Sequence, residues 1–226
     1  NNFVLMAHNA AGGFKTIITE ASLFVRKLEL NPAVSLAHAK ALEKQTAKYP
    51  LKRTVVKTHG LPQGSMNAVI DNLFLSQLPT RVVVGLVPST NYNGSFRTNP
   101  FSFYHHGLTF LSLCIDGKNV PGKPLTPDFE NNQYVRSYFN LSAAVGLNNS
   151  PHGNGISYEE FPNGYCLFVY DLTPSLLDGN QVELIKTGSL RLEMKFSQAL
   201  NQALQCIIYA ELDSLLEIDR SRQIIT

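Results

Sequence analysis

Apolar and charged side chains alternate without a break through Leu190-Arg191-Leu192-Glu193-Met194-Lys195-Phe196, and no other feature constrains the fold as tightly. Successive side chains of a strand point to opposite faces. A period of two therefore places Leu190, Leu192, Met194 and Phe196 in a core and leaves Arg191, Glu193 and Lys195 in water. Similar or more uniformly apolar stretches occur at residues 3–7, 14–30, 51–58, 68–75, 81–87, 108–115, 165–172 and 206–212. So many short strands predict an all-β chain, an antiparallel sandwich with one or two helices inserted in its connections.

Between these stretches stand Asn93-Gly94, Asp116-Gly117, Asn163-Gly164 and Asp178-Gly179. Each dipeptide tolerates the positive φ of a tight hairpin turn. The stretches 81–87 and 165–172 are apolar on both faces, so another sheet, a helix or a neighbouring molecule must cover the second face. One helix is expected to begin with Asn31 as N-cap and Pro32 at its first position and to run to Tyr49, where Pro50 stops it. A second is expected over residues 134–145, with Val135, Tyr138, Phe139 and Leu141 apolar and Gly146 as its C-terminal stop. Residues 92–100, 117–132 and 146–155, rich in Asn, Gly and Pro, read as long loops kept for function or contact.

With 226 residues, 44% hydrophobic and 16% charged, the chain is long enough to bury one large core, and a single domain is expected. A net charge of +2 is too small for nucleic-acid binding by the whole surface. The charge is uneven, however: Lys15, Arg26, Lys27, Lys40, Lys44, Lys48, Lys52, Arg53 and Lys57 face only Glu20, Glu29 and Glu43. A solvated face accounts for this, and a contact with nucleic acid is the functional alternative. Cys114, Cys166 and Cys206, an odd number without C-x-x-C spacing, are expected to be buried reduced thiols. The sequons at Asn93, Asn140 and Asn148 are accordingly read as chance. No apolar run reaches the length of a membrane-spanning helix. The opening Asn1-Asn2-Phe3 has no initiator Met and no basic flank, so an excised piece of a longer chain is expected.

No catalytic residue, cofactor site or metal site is assigned. Adjacent His105 and His106, if on a strand, point to opposite faces and could not readily share an ion. His8, His38, His59 and His152 stand alone. There is no nucleophile elbow, phosphate-binding loop, dinucleotide fingerprint or H-E-x-x-H. Glu159-Glu160 after Ser157 reads as the capping box of a short helix. A glycan-binding sandwich would need exposed aromatic platforms, and with no Trp the nine tyrosines would have to supply them.

Several strings together carry a resemblance. They are residues 38–50 (HAKALEKQTAKYP), residues 72–81 (NLFLSQLPTR), Asn93-Gly94-Ser95-Phe96 with Asn99-Pro100-Phe101, Asp116-Gly117, Pro121, and Pro127-Asp128-Phe129. Tyr134-Val135-Arg136-Ser137-Tyr138, Asn163-Gly164-Tyr165, Tyr209-Ala210-Glu211-Leu212 and Glu217-Ile218-Asp219-Arg220 complete them. In this order, across essentially the whole chain, they resemble the major capsid proteins of Polinton or Maverick and adintovirus-like elements, a family with uncharacterised relatives in invertebrate genomes. The family's chain is about twice as long and carries two jelly rolls; this chain resembles the second.

The resemblance implies a jelly roll standing roughly perpendicular to a shell, with three chains per pseudo-hexameric capsomer. It further implies a minor capsid or penton partner, a possible weak contact with packaged DNA, synthesis in the host cytoplasm and residence in the virion capsid. The loop 117–132 and the helix from Tyr134 are expected to touch neighbours. A host gene that kept the fold and lost assembly would be the derived form of the same reading. Genomic neighbours encoding a packaging ATPase and a maturation protease would favour the element instead.

Overall fold

A computed structural model describes residues 16–147, 153–173 and 186–225. In chain order its elements are α1 (Pro32–Leu42), β1 (Ala47–Leu61), β2 (Asn67–Ile70), β3 (Arg81–Pro88), α2 (Ser89–Tyr92), β4 (Phe103–Tyr104) and β5 (Leu108–Ile115). There follow β6 (Lys118–Asn119), α3 (Val135–Ala143), β7 (Asn163–Gly164), β8 (Leu167–Asp171), β9 (Leu190–Phe196), β10 (Leu204–Ile218) and β11 (Ile224–Ile225). One large sheet has the order β1-β10-β3-β8, with β11 beside β10, a second has the order β2-β9-β5-β6, and β4 and β7 form a small two-stranded sheet. Every strand-to-strand ladder is antiparallel. The long strands alternate between the two sheets as the chain proceeds, which is the wrapping of a jelly roll.

The alternation in β9 does what its period dictates: Leu190, Leu192, Met194 and Phe196 are buried, and Arg191 and Lys195 are exposed. These side chains meet Leu111 and Leu113 of β5, Val82, Val84 and Leu86 of β3, Phe168 and Tyr170 of β8, and Cys206, Ile208 and Ala210 of β10 in one core. The Tyr170 hydroxyl donates to the Leu111 carbonyl at 3.1 Å, tying the first sheet to the second across the sandwich. All three cysteines are free and buried. Burial pushes the Cys206 thiol up to about 12 and raises that of Cys166 as well, so these two are inert at neutral pH.

The second faces of the apolar strands are covered from within the chain. Phe103 of β4 lies over β3 at Gly85, where an added Cβ would stand 2.7 Å from its ring. Helix α3 packs on β8, burying Leu141 and Ala144 in the same core as Val169. A Schellman motif ends that helix, with Leu147 N–H donating to the Ser142 carbonyl and Gly146 N–H to that of Ala143, Gly146 being at φ 72°.

Several expectations need correction. The helix that Asn31 caps through its side-chain oxygen, 2.9 Å from the Ala33 N–H, stops at Leu42 and not at Tyr49. From Ala47 the chain instead pairs residue for residue with β10, because sheet hydrogen bonds along fifteen positions outweigh the helix propensity of its last residues. Pro50 sits inside this strand, which it can do because β1 is the edge of its sheet. Residues 16–30 form no strand; they lack regular structure and are exposed throughout. The strand expected over 68–75 ends at Ile70, and Leu73 and Phe74 reach the core from a loop.

Of the glycine dipeptides, Asp116-Gly117 makes the hairpin, with φ of 48° and 80° and pairing of Ile115 with Lys118. Asn93-Gly94 closes α2, while Asn163-Gly164 forms β7. Asp178-Gly179 and the expected strand at residues 3–7 lie outside the described residues. Ser157 and Glu160 do exchange the hydrogen bonds of a capping box, Glu160 N–H to Ser157 Oγ at 3.2 Å and Ser157 N–H to Glu160 Oε2 at 2.9 Å. They close a turn and not a helix.

Candidate functional site

Two surfaces stand out from the sandwich. The first is a ribbon. β3 pairs β10 only as far as Glu211, whereas β1 and β10 continue together through Ala47–Arg53 and Leu212–Ile218. Opposed residues of an antiparallel pair share a face, and Leu61, Cys206, Ile208 and Ala210 fix which face is inner. Beyond the core the inner face carries Tyr49, Leu51, Leu216 and Ile218 together with Arg53 and Ser214, with Tyr49 53% and Leu51 39% exposed. The other face carries Lys48, Pro50, Lys52 and Glu217, and Lys48 lies 3.8 Å from Glu217. At the far end α1 is held by Glu43 and Arg220, 3.5 Å apart, beside a cavity of about 350 Å³.

The second surface is formed by the long connections, which are braced by a column of aromatic rings. His105 stacks on Phe129 at 4.2 Å, Phe129 on Tyr134 at 5.1 Å, and Tyr134 on Tyr158 at 4.4 Å. Phe161 joins Tyr134 to Phe168 of β8, so the column is rooted in the core. Hydroxyls tie the loops to one another: Tyr158 donates to the Asn132 carbonyl at 2.7 Å, and Tyr138 to that of Ile156 at 2.8 Å. Arg136 donates to the carbonyls of Lys123 and Pro124 at 2.6 and 2.8 Å. The described parts of these connections are therefore held to one another and to the core. Outside the column α3 leaves Val135 and Phe139 exposed, and a groove of about 340 Å³ runs between Phe139, Ala143, Pro121 and Val169.

His105 and His106 are neither on a strand nor on opposite faces of one. They form the tight turn between β4 and β5, where His106 takes φ 48° and the Gly107 N–H donates to His105 Nδ1 at 3.0 Å. Burial, and secondarily the charge of His105, lower the pKa of His106 to about 4, and burial lowers that of His105 too. Among the described residues no group of three or more His, Cys, Asp or Glu side chains stands close enough to hold a metal ion. Among them also, no helix is long and apolar enough to cross a membrane.

Sequence reasoning singled out the loop 117–132 and the helix from Tyr134, and the structure joins them in the braced surface. It placed a strand from Leu51 but missed its start at Ala47, because Tyr49 and Pro50 read as a helix end. Tyr49, Leu51 and Val55 share one row, but Arg53 interrupts it and the neighbouring lysines obscure it.

No protein-family model matches the chain. It is 31% identical to an uncharacterised protein of Caenorhabditis elegans over 98% of its own length and 54% of that protein's. Among solved structures it is similar to PBCV-1 VP54, whose crystal structure has been fitted into a cryo-EM reconstruction of the virophage Sputnik. That likeness has a TM-score of 0.50 at 13% identity and covers 87% of this chain and 55% of VP54. It is also similar to the mavirus major capsid protein, with a TM-score of 0.40 and 12% identity over 80% of this chain and 41% of that one. The chain thus spans about half the length of the worm protein and of VP54.

Proposed function

We propose that the chain is one jelly roll of a double jelly-roll major capsid protein. The full polypeptide forms homotrimeric, pseudo-hexameric capsomers of an icosahedral shell, as in Polinton or adintovirus-like elements. The observation that carries this reading is the wrapping itself, β1-β10-β3-β8 against β2-β9-β5-β6, in a fold shared with a chain that fits a virus particle. A spanned length of about half in both VP54 and the worm protein agrees with a second domain of similar size. The role is structural and not enzymatic. Function then resides in repeated surfaces: a closed symmetric assembly reuses the same patches in every copy. Rigid loops and an uncovered ribbon suit that use, because ordering them on contact costs little further entropy.

The capsomer would meet a minor capsid or penton protein at positions of different symmetry, and its place is the virion, after synthesis in the host cytoplasm. The exposed lysines at Lys40, Lys44, Lys48 and Lys52 are the candidates for a weak contact with packaged DNA. Sedimentation equilibrium of the full-length polypeptide tests the central part: three polypeptides per particle are expected. A mass of one polypeptide under assembly conditions, together with binding on a glycan array, would replace this reading by a monomeric lectin-like module.

A further inference from the structure

We propose that residues 17–25, which form no strand in this chain, become one in the full-length polypeptide by adding to a sheet edge of its other jelly roll. This rests on the double jelly-roll reading.

From residue 16 to residue 60 no side chain is buried, and among the described residues the first buried one is Leu61. Within the first third of that stretch, Ile17, Ile18, Leu23, Phe24, Val25, Leu28 and Leu30 are between 50% and 94% exposed. Single exposed apolar residues are ordinary on a protein surface, but seven within fourteen positions are not. Between residues 17 and 25 the two rows of an extended chain differ: Ile17, Thr19, Ala21, Leu23 and Val25 give an uncharged row, while Ile18 and Phe24 share the other row with Glu20, Ser22 and Arg26. The row changes phase at Leu28 and Leu30, just before Asn31 caps α1 and turns the chain toward the ribbon.

The jelly roll described here does not pair with this segment: neither of its two larger sheets includes residues 16–30, and among the described residues no backbone hydrogen bond links them to a strand. The occupant follows from length. The worm protein matches 98% of this chain yet is nearly twice as long, which leaves room for a second sandwich of the same size. An open sheet always ends in an edge with unpaired N–H and C=O groups, and a strand of nine residues with an uncharged row supplies both hydrogen bonds and apolar surface to such an edge.

Hydrogen exchange read by mass spectrometry tests this on two molecules, the full-length polypeptide and the 226-residue chain. The amides of residues 17–25 are expected to exchange at least about a hundredfold more slowly in the full-length polypeptide and to be unprotected in the shorter chain. Leu23→Pro, which removes a strand N–H, should abolish that protection while the amides of β9 and β10 stay protected. Rapid exchange of residues 17–25 in the full-length polypeptide would overturn the inference. So would slow exchange in the shorter chain: a concentration-dependent effect would assign the strand to a second copy, and a concentration-independent one to this jelly roll's own edge. A full-length trimer with unprotected residues 17–25 sinks this inference alone. A monomer with protected residues sinks the capsid reading and leaves the strand assignment standing.

Discussion

Arg191 and Leu192 are neighbours whose side chains live in different solvents, and this single contrast measures how firmly the sandwich is set. Leu192 is wholly buried between the sheets, so Leu192→Asp leaves a charge without a partner in the core. A loss of at least about 3 kcal/mol in denaturant unfolding is expected. Arg191 lies 3.1 Å from both Asp71 and Glu193 at the surface, and Arg191→Asp should cost no more than about 1 kcal/mol. Equal effects would mean that β9 faces the other way.

His106 gives the second residue-scale prediction. Its folded pKa of about 4 lies below the 6.5 of a free imidazole, so between these values the unfolded chain takes up a proton that the folded one refuses. Stability is therefore fully present above pH 6.5 and drains away as pH falls toward 4. His106→Asn keeps a residue that tolerates φ 48° and removes the titration. Its urea midpoint should fall less steeply over that pH range than that of the unsubstituted protein; parallel curves would assign the pH dependence to other groups.

At the scale of elements, β3 shows why a strand that is apolar on both faces remains inside one molecule. Its inner face meets β5 and β9 in the core, and its outer face accepts Phe103 because Gly85 offers no side chain. Gly85→Ala should destabilise by about 1 to 3 kcal/mol through contact with that ring. Adding Phe103→Leu should recover part of the loss, because the two sites share one volume. Additive losses in the double variant would show that the ring does not rest on the glycine.

The same scale shows what could and could not be read from sequence. The alternation of β9, the doubly apolar β3 and β8, the Asp116-Gly117 hairpin and α3 with its Gly146 stop were legible, because each is decided by local periodicity or by a φ that few residues tolerate. The length of α1 was not: residues from Glu43 to Tyr49 have good helix formers among them, yet the helix gives way to a turn after Leu42, and pairing with β10, more than 150 positions away, makes Ala47 to Tyr49 strand. The aromatic column was hidden for a related reason. His105, Phe129, Tyr134 and Tyr158 come from three separate connections, and nothing in the order of residues announces that their rings stack.

At the scale of the whole molecule, the described core closes on itself while one long stretch stays outside it. From residue 16 to residue 51 no side chain is buried, and eleven large apolar ones are exposed. So dense an apolar stretch suits a chain that a neighbour covers. Electron cryo-microscopy of the purified full-length polypeptide tests this most directly. The account predicts particles of threefold symmetry with six sandwich-shaped lobes in a pseudo-hexagonal outline, this jelly roll in three of them and its apolar stretch covered by a neighbour. Isolated particles of one or two lobes, with residues 16–51 still facing solvent, would contradict it.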